Sequence, residues 1–409
     1  MCYLKSLKSI LSITVIIILL TPSAYSQVIS IDEFLQTTMA SKEVTETFSY
    51  DCPDKYYSSK YSDKYLAIIL SQPRIISTEE GLKDIYEPRR VEIFNSQGKL
   101  LNIEPKYKKF RVAGFLEGET DYYVFEQRVG GNHEIGIYDM EGNIVKSLNR
   151  GFYSYSSPQG KFYYNQGGES GLTIYNENGD KLFGIPIKGD RFTANAASNS
   201  TLLVVGRTTL AFWNINTQEI IWERNIPTKR KNIVDESSHI QFSMPGNIIA
   251  LHGFHGYYCF NFQGDFLWAD EDYSIRNKSL MLTGVSKSSG DVAIIYSKYE
   301  MSHSLFAKIF NHEGILLEEH EIQLGENVKF AAHANFTAMV FNDYIFIRFF
   351  AGTADRVTEF ATCILYKENQ SWSSAVVSGF WFLLNEASPT ERLIGYDPRS
   401  QQIKGYQIK

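Results

Sequence analysis

Residues 172–184 read LTIYNENGDKLFG: an apolar run ending in an aromatic, an Asn-x-x-Gly turn, and a second apolar run. Asn followed three positions later by Gly suits a tight connection, because the amide bonds local backbone and the glycine accepts positive φ, so the stretch reads as a β-hairpin. Nearly the same phrase returns seven times. The copies are VEIFNSQGKLL at Asn95, IGIYDMEGNIV at Asp139, LAFWNINTQEI at Asn214, YYCFNFQGDFL at Asn261, AKIFNHEGILL at Asn311, CILYKENQSWS at Lys367 and LIGYDPRSQQI at Asp397. An aromatic stands directly before the turn residue in all eight: Phe94, Tyr138, Tyr175, Trp213, Phe260, Phe310, Tyr366 and Tyr396. A phrase that returns every 30 to 56 residues is one structural unit copied around a fold.

In the leading strand the aromatic points to one face and residues such as Ile174 and Leu172, or Phe212 and Leu210, point to the other. Both faces are apolar, whereas a one-sided antiparallel sheet alternates apolar with polar, so these hairpins are expected to be covered on both sides. Further strands are predicted upstream of each hairpin, over 65–70, 122–127, 161–164, 201–205, 247–252, 292–297, 344–350 and 380–384. A unit of about four short strands, with no helical stretch comparable in strength, matches one blade of a β-propeller. The predicted fold is therefore all-β, a propeller of four-stranded antiparallel blades. The phrase would form the outer half of every blade, with its aromatic wedged against the neighbouring blade.

Eight hairpins predict eight blades, with seven plus an irregular one as the alternative. The last phrase follows the previous one by 30 residues, too few for a full blade, so a strand from the N-terminus, over 44–50, is expected to complete it and remove the open edge. The predicted organisation is a signal peptide over 1–26, a lead-in with this closing strand over 27–59, and the propeller over 60–409. Residues 28–43 read as a short helix or an unstructured lead-in.

On these residues the chain resembles the WD40, YVTN and quinoprotein-type propeller superfamilies, over roughly residues 60–409. No Gly-His paired with a later Trp-Asp occurs, so the WD40 signature itself is absent. Asn214, Thr217 and Trp222 are similar to the Asp, Thr and Trp of the tryptophan-docking motif of quinoprotein blades, and Gly264 with Trp268 match it in part. The adjacent cysteines that several quinoprotein dehydrogenases hold over their cofactor are missing. No cofactor is implied.

Lys5 and Lys8 precede an apolar stretch over 10–20, followed by Pro22 and Ala24-Tyr25-Ser26, which reads as a secretory signal cleaved before Gln27. The stretch is shorter than the roughly 20 residues a spanning helix needs. The expectation is an exported, periplasmic or secreted monomer with no membrane span after cleavage. At 44% hydrophobic and 14% aromatic content the mature chain can bury a large core. Its net charge, −6 overall and −8 without the two signal lysines, argues against nucleic acid as a partner. Three cysteines remain after cleavage; Cys259 and Cys363 fall in strand patterns and read as buried thiols rather than a bridge or a metal pair, and Cys52 completes an odd set.

Catalytic constellations are scarce. His252 and His255 stand three apart in a strand-and-turn context that points them to opposite faces, so metal binding is not expected of them. Asn176-Glu177-Asn178-Gly179-Asp180 resembles part of a calcium loop, but position twelve is Ile187 where a bidentate Glu belongs. Asp270-Glu271-Asp272 reads as a solvated loop. Gly-x-Ser-x-Gly and phosphate-cradling glycine loops are absent from the sequence. Asn199, Asn277, Asn335 and Asn369 head Asn-x-Ser/Thr sites, relevant in a glycosylating host. Tyrosines set among small polar residues in 56–65 and 152–168 suit loops that recognise sugars or proteins, with Tyr56, Tyr57, Tyr61, Tyr153 and Tyr155 as the candidate rim residues. The expected function is a protein- or glycan-binding scaffold. The alternative is an enzyme on the same scaffold: a lyase, a glycan hydrolase or a quinone-dependent dehydrogenase.

Overall fold

The computed structural model describes residues 27–408 apart from interior segments, the longest being 272–279, 298–303, 324–337 and 383–391. The segment 1–26 lies outside the described residues. Seven blades are built from four consecutive strands paired antiparallel in chain order. The third consists of Tyr153–Ser156, Phe162–Gln166, Leu172–Asn176 and Lys181–Ile185. The other six occupy 55–103, 109–148, 193–225, 239–270, 280–323 and 338–378, and the eighth blade uses the C-terminal strands. First strands of neighbouring blades approach one another, for example Lys109–Glu117 with Tyr153–Ser156 and His239–Ser243 with Leu280–Val285, so they form the innermost layer.

An apolar cluster fills every gap between consecutive blades. Ile137 of the second meets Tyr163 and Tyr175 of the third, Ile174 meets Leu202 and Val204 of the fourth, and Ile309 of the sixth meets Ile345 and Cys363 of the seventh. Ile394, Tyr396 and Ile403 of the eighth pack on Leu66, Ile68 and Phe94 of the first, which closes the ring. The molecule is an eight-bladed β-propeller.

The closing strand is Val44–Asp51, paired antiparallel with Gln402–Ile408 as the outermost strand of the eighth blade. The first blade opens at Lys55. Residues set apart in the sequence as a lead-in are thus part of the ring. Upstream, Gln27–Ile29 lies parallel to Ser371–Ser378 as a fifth strand of the seventh blade. The helix Ile31–Thr37, capped by Ser30 Oγ accepting from the Glu33 amide, buries Phe34 against Tyr344 and Phe382.

The eight repeat aromatics are all buried or half-buried. In the first six blades the aromatic packs toward the preceding blade, and the residue before it packs toward the following one; this alternation is why both faces are apolar. Two expectations need correction, and one blade packs its aromatic the other way. In the seventh blade Tyr366 packs toward the eighth instead, while Lys367 reaches back to Asp291 of the sixth at 2.8 Å. The first six copies carry a one-residue bulge just before or opposite the aromatic, as between Ile174 and Tyr175, and CILYKENQSWS has none, so its faces are exchanged. In the eighth blade the phrase joins the second and third strands, because the outermost strand comes from 44–51; the phrase is therefore the outer half of seven blades, not of every blade. The trailing strands, finally, are not covered on both sides. Leu100, Ile144, Val145, Ile220, Ile221, Phe266, Leu316 and Leu317 are exposed on outermost strands, where the blades splay apart.

The turn works as its residue types require. Asn176 Oδ1 accepts from the amides of Asn178 and Asp180 at 3.0 and 2.8 Å, and Gly179 has φ +75°. Asp139, Asn261 and Asn311 repeat the pattern. The glycine also docks between blades. Trp222 covers Gly264 of the next blade and donates from Nε1 to the Phe262 carbonyl at 2.9 Å, and Trp268 covers Gly314. These are the two tryptophans that carry the quinoprotein resemblance.

Gly314→Ala would force a Cβ to 2.6 Å from Trp268 Cγ at φ +79°, so it is expected to cost about 2–4 kcal/mol in chemical denaturation. Gly184→Ala, whose nearest neighbour would lie 3.7 Å away, should change stability by less than about 0.5 kcal/mol. At the ring closure Tyr50 donates to the buried Glu92 of the first blade. Burial first, then that hydrogen bond and the Glu92 charge, raise the phenol above its ordinary range. Unfolded, it ionises near pH 10, so its contribution is complete below about pH 10 and is lost as pH rises through the raised value. Tyr50→Phe should cost about 1–2 kcal/mol at neutral pH and make the alkaline decline of stability less steep.

Candidate functional site

Most polar side chains of the innermost layer serve to tie blades together. Asn195 Nδ2 donates to the Ile240 carbonyl at 2.9 Å, Gln241 Oε1 accepts from the Val285 amide at 2.9 Å, and Ser243 Oγ donates to the Lys287 carbonyl at 2.8 Å. A second recurrent device, missed in the sequence, turns the first strand into the second. Ser62, Ser157, Ser198, Ser243 and Ser286 each accept a nearby backbone N–H on Oγ. Strand alternation puts these serine turns on the same face of the ring as the Asn-x-x-Gly turns.

One group is different. Tyr155 is exposed, with Lys60 Nζ 5.0 Å and Arg111 Cζ 5.7 Å from its ring centroid. Lys60 lies on the first strand of the first blade, Arg111 on that of the second and Tyr155 on that of the third. Only the innermost strands bring blades one and three close enough to meet across blade two. Arg111 Nε donates to Glu126 Oε2 at 2.6 Å, and that carboxylate is buried. Burial works against the Arg111 charge, but Glu126, then Tyr155, hold its pKa above the ordinary value. Lys60 and Tyr155 each stand two residues before their serine turn, and Arg111 reaches them from the third residue of its strand.

The predicted rim tyrosines are placed otherwise than expected. Tyr56, Tyr57 and Tyr61 belong to the strand Lys55–Tyr61, and Tyr153 and Tyr155 to Tyr153–Ser156. Both are innermost strands, not rim loops. Of the five side chains only Tyr155 is among those described. The composition that suggested adaptable loops serves instead on edge strands at the axis, where a tyrosine can keep one side wet.

Other candidates resolve into structure. The oxygen of Asn176 is taken up by its own turn and Asp180 pairs with Lys146, so this stretch is a hairpin turn. Glu271 accepts from Tyr258 OH at 3.2 Å, and Asp272 lies outside the described residues. Cys52, Cys259 and Cys363 are buried thiols outside any disulfide, and burial raises the last two well above their usual pKa. Asn199 bonds Gln159 through both ends of its amide; Asn277, Asn335 and Asn369 lie outside the described residues. So does His255. His252 is buried on Ile248–Gly253, directly opposite His239 on the neighbouring strand. Among the described residues no helix is long and apolar enough to cross a membrane.

No protein-family profile matches the chain, and no curated protein matches it. Solved structures do. KlHsv2 of Kluyveromyces lactis, with loop 6CD replaced by a Gly-Ser linker, superposes with TM-score 0.50 at 10% identity, over 80% of this chain and 97% of that one. A eukaryotic initiation factor superposes with TM-score 0.50 at 12% identity, over 86% of this chain and 84% of that one. The chain is a repeat β-propeller. The C-terminal WD40 domain of Sif2 gives TM-score 0.48 at 12% identity, over 90% of this chain and 99% of that one. At such identities the likeness is one of fold, and no family within the fold follows from it.

Proposed function

We propose that this chain is an exported, monomeric protein-binding scaffold whose central channel receives an acidic segment of its partner. The observation that supports this most is the convergence of Lys60 and Arg111 on the exposed ring of Tyr155. In a chain of net charge −6, the Lys60 ammonium stands in the innermost layer beside the Arg111–Glu126 ion pair, an excess of one positive charge over these three groups. A carboxylate approaching there meets an ammonium, a guanidinium and a phenol at once, the combination that makes charge-assisted hydrogen bonds. Stacking of a neutral sugar would have to compete with the cations already over the ring. Three rigid blades hold the group, so little ordering is needed on binding. Export rests on the N-terminal pattern of Lys5, Lys8, the apolar stretch and Ala24-Tyr25-Ser26.

A fluorescent Glu-rich peptide, followed by anisotropy, tests the reading. Binding is expected to weaken with salt, and to weaken about tenfold in Arg111→Gln or Tyr155→Ala while a Lys-rich peptide does not bind. Equal binding of acidic and uncharged peptides would sink it. Retention of uronate-bearing glycans with no peptide binding would reassign the partner to carbohydrate.

A further inference from the structure

The channel group leaves unused a row of polar side chains on the fifth blade. His239, His252, Tyr257 and Asp270 are directly paired across its four strands, His239 with His252, His252 with Tyr257, and Tyr257 with Asp270. Directly opposed residues of an antiparallel sheet share a face, with Cβ atoms about 4.5–5.5 Å apart. The row lies at the end of the blade away from the Ser243 turn, since His239 begins the strand that Ser243 ends. It is therefore separate from the Lys60, Arg111 and Tyr155 group.

Within the row the two imidazoles have the spacing of co-ligands. Their ring centroids are 4.7 Å apart and their planes meet at 87°. Two imidazoles bound to one ion through bonds of about 2.1 Å, at near-tetrahedral angles, have ring centres roughly 5 Å apart. His252 is 6% exposed, and its Nδ1 is buried with no hydrogen-bond partner among the described residues. A buried polar atom left so calls for a missing partner. Tyr257 stacks on the His252 ring at 4.7 Å and fixes its orientation. His239, on the innermost strand, is only half-buried and gives access from the channel side.

We propose that His239 and His252 form a binding site for one divalent transition-metal ion of the zinc or copper class, with solvent completing its coordination. Imidazole nitrogen favours these ions over calcium or magnesium, which take oxygen ligands.

Protein stripped with a chelator and dialysed is titrated with Zn2+ by calorimetry, and with Cu2+ by electron paramagnetic resonance. The expected result is about one equivalent per chain, with affinity on the order of micromolar, a Cu2+ spectrum split by two nitrogens, and a higher unfolding temperature with metal. His239→Gln should weaken binding at least tenfold and abolish the rise in unfolding temperature that metal gives the parent protein. His312→Gln, at a histidine 58% exposed on a distant turn, should change nothing. Absence of binding by the parent protein, or equal binding by His239→Gln, would overturn the assignment. His252→Asn is a second variant, and if it does not fold, His239→Gln alone decides.

Discussion

Every blade of this molecule has two apolar faces and cannot be satisfied alone. Ile174 needs the fourth blade and Tyr175 needs the second, and the same division recurs at Ile137 and Tyr138 or Ile309 and Phe310. A half-ring would leave two such faces in water, each losing the roughly 25 cal/mol per Å² that burial contributes. The stable state is therefore the closed one. Closure depends on the contact of the eighth blade with the first, where Tyr396 and Ile403 meet Leu66 and Phe94, with Tyr50 against the Phe94 ring at 4.9 Å. The glycine turns refine that packing, because only a residue without Cβ lets Trp222 or Trp268 lie flat over the next blade's hairpin.

What could be read from the chain was what repeats locally. The aromatic before the turn, the Asn or Asp that bonds its own loop and the two-faced leading strand are each contained in about a dozen residues, and the loop bonding recurs at Asp139, Asn176, Asn214, Asn261 and Asn311. The seventh departs because its hairpin lacks both the glycine and the bulge, and a slip of one residue then exchanges faces; the missing glycine was visible in CILYKENQSWS, but its effect on register was not. Exposure of the trailing strands was not legible either. Ile144 and Ile221 have the same residue type as buried positions, and only the divergence of blades with distance from the axis separates them.

Both polar groups of interest are assembled by pairing over long separations. Lys60, Arg111 and Tyr155 come from three blades, and His239 meets His252 through the register of two strands. Neither has a local spacing signature. Aligning first and second strands blade by blade, using the serine turns as the anchor, would have placed His239 opposite His252; the tyrosine-rich stretches already marked Tyr155, though as a loop residue. The two groups lie on different blades and differ in kind, one a lysine beside an ion-paired arginine and the other a pair of imidazoles.

The strand Val44–Asp51 has its hydrogen-bonding partner in Gln402–Ile408, so the piece of ring that a ribosome makes first waits for the piece made last. Until the final residues emerge, the growing chain is an open arc whose terminal sheet lacks an edge. Loss of the strand Gln402–Ile408 would therefore undo the beginning of the ring as well as its end.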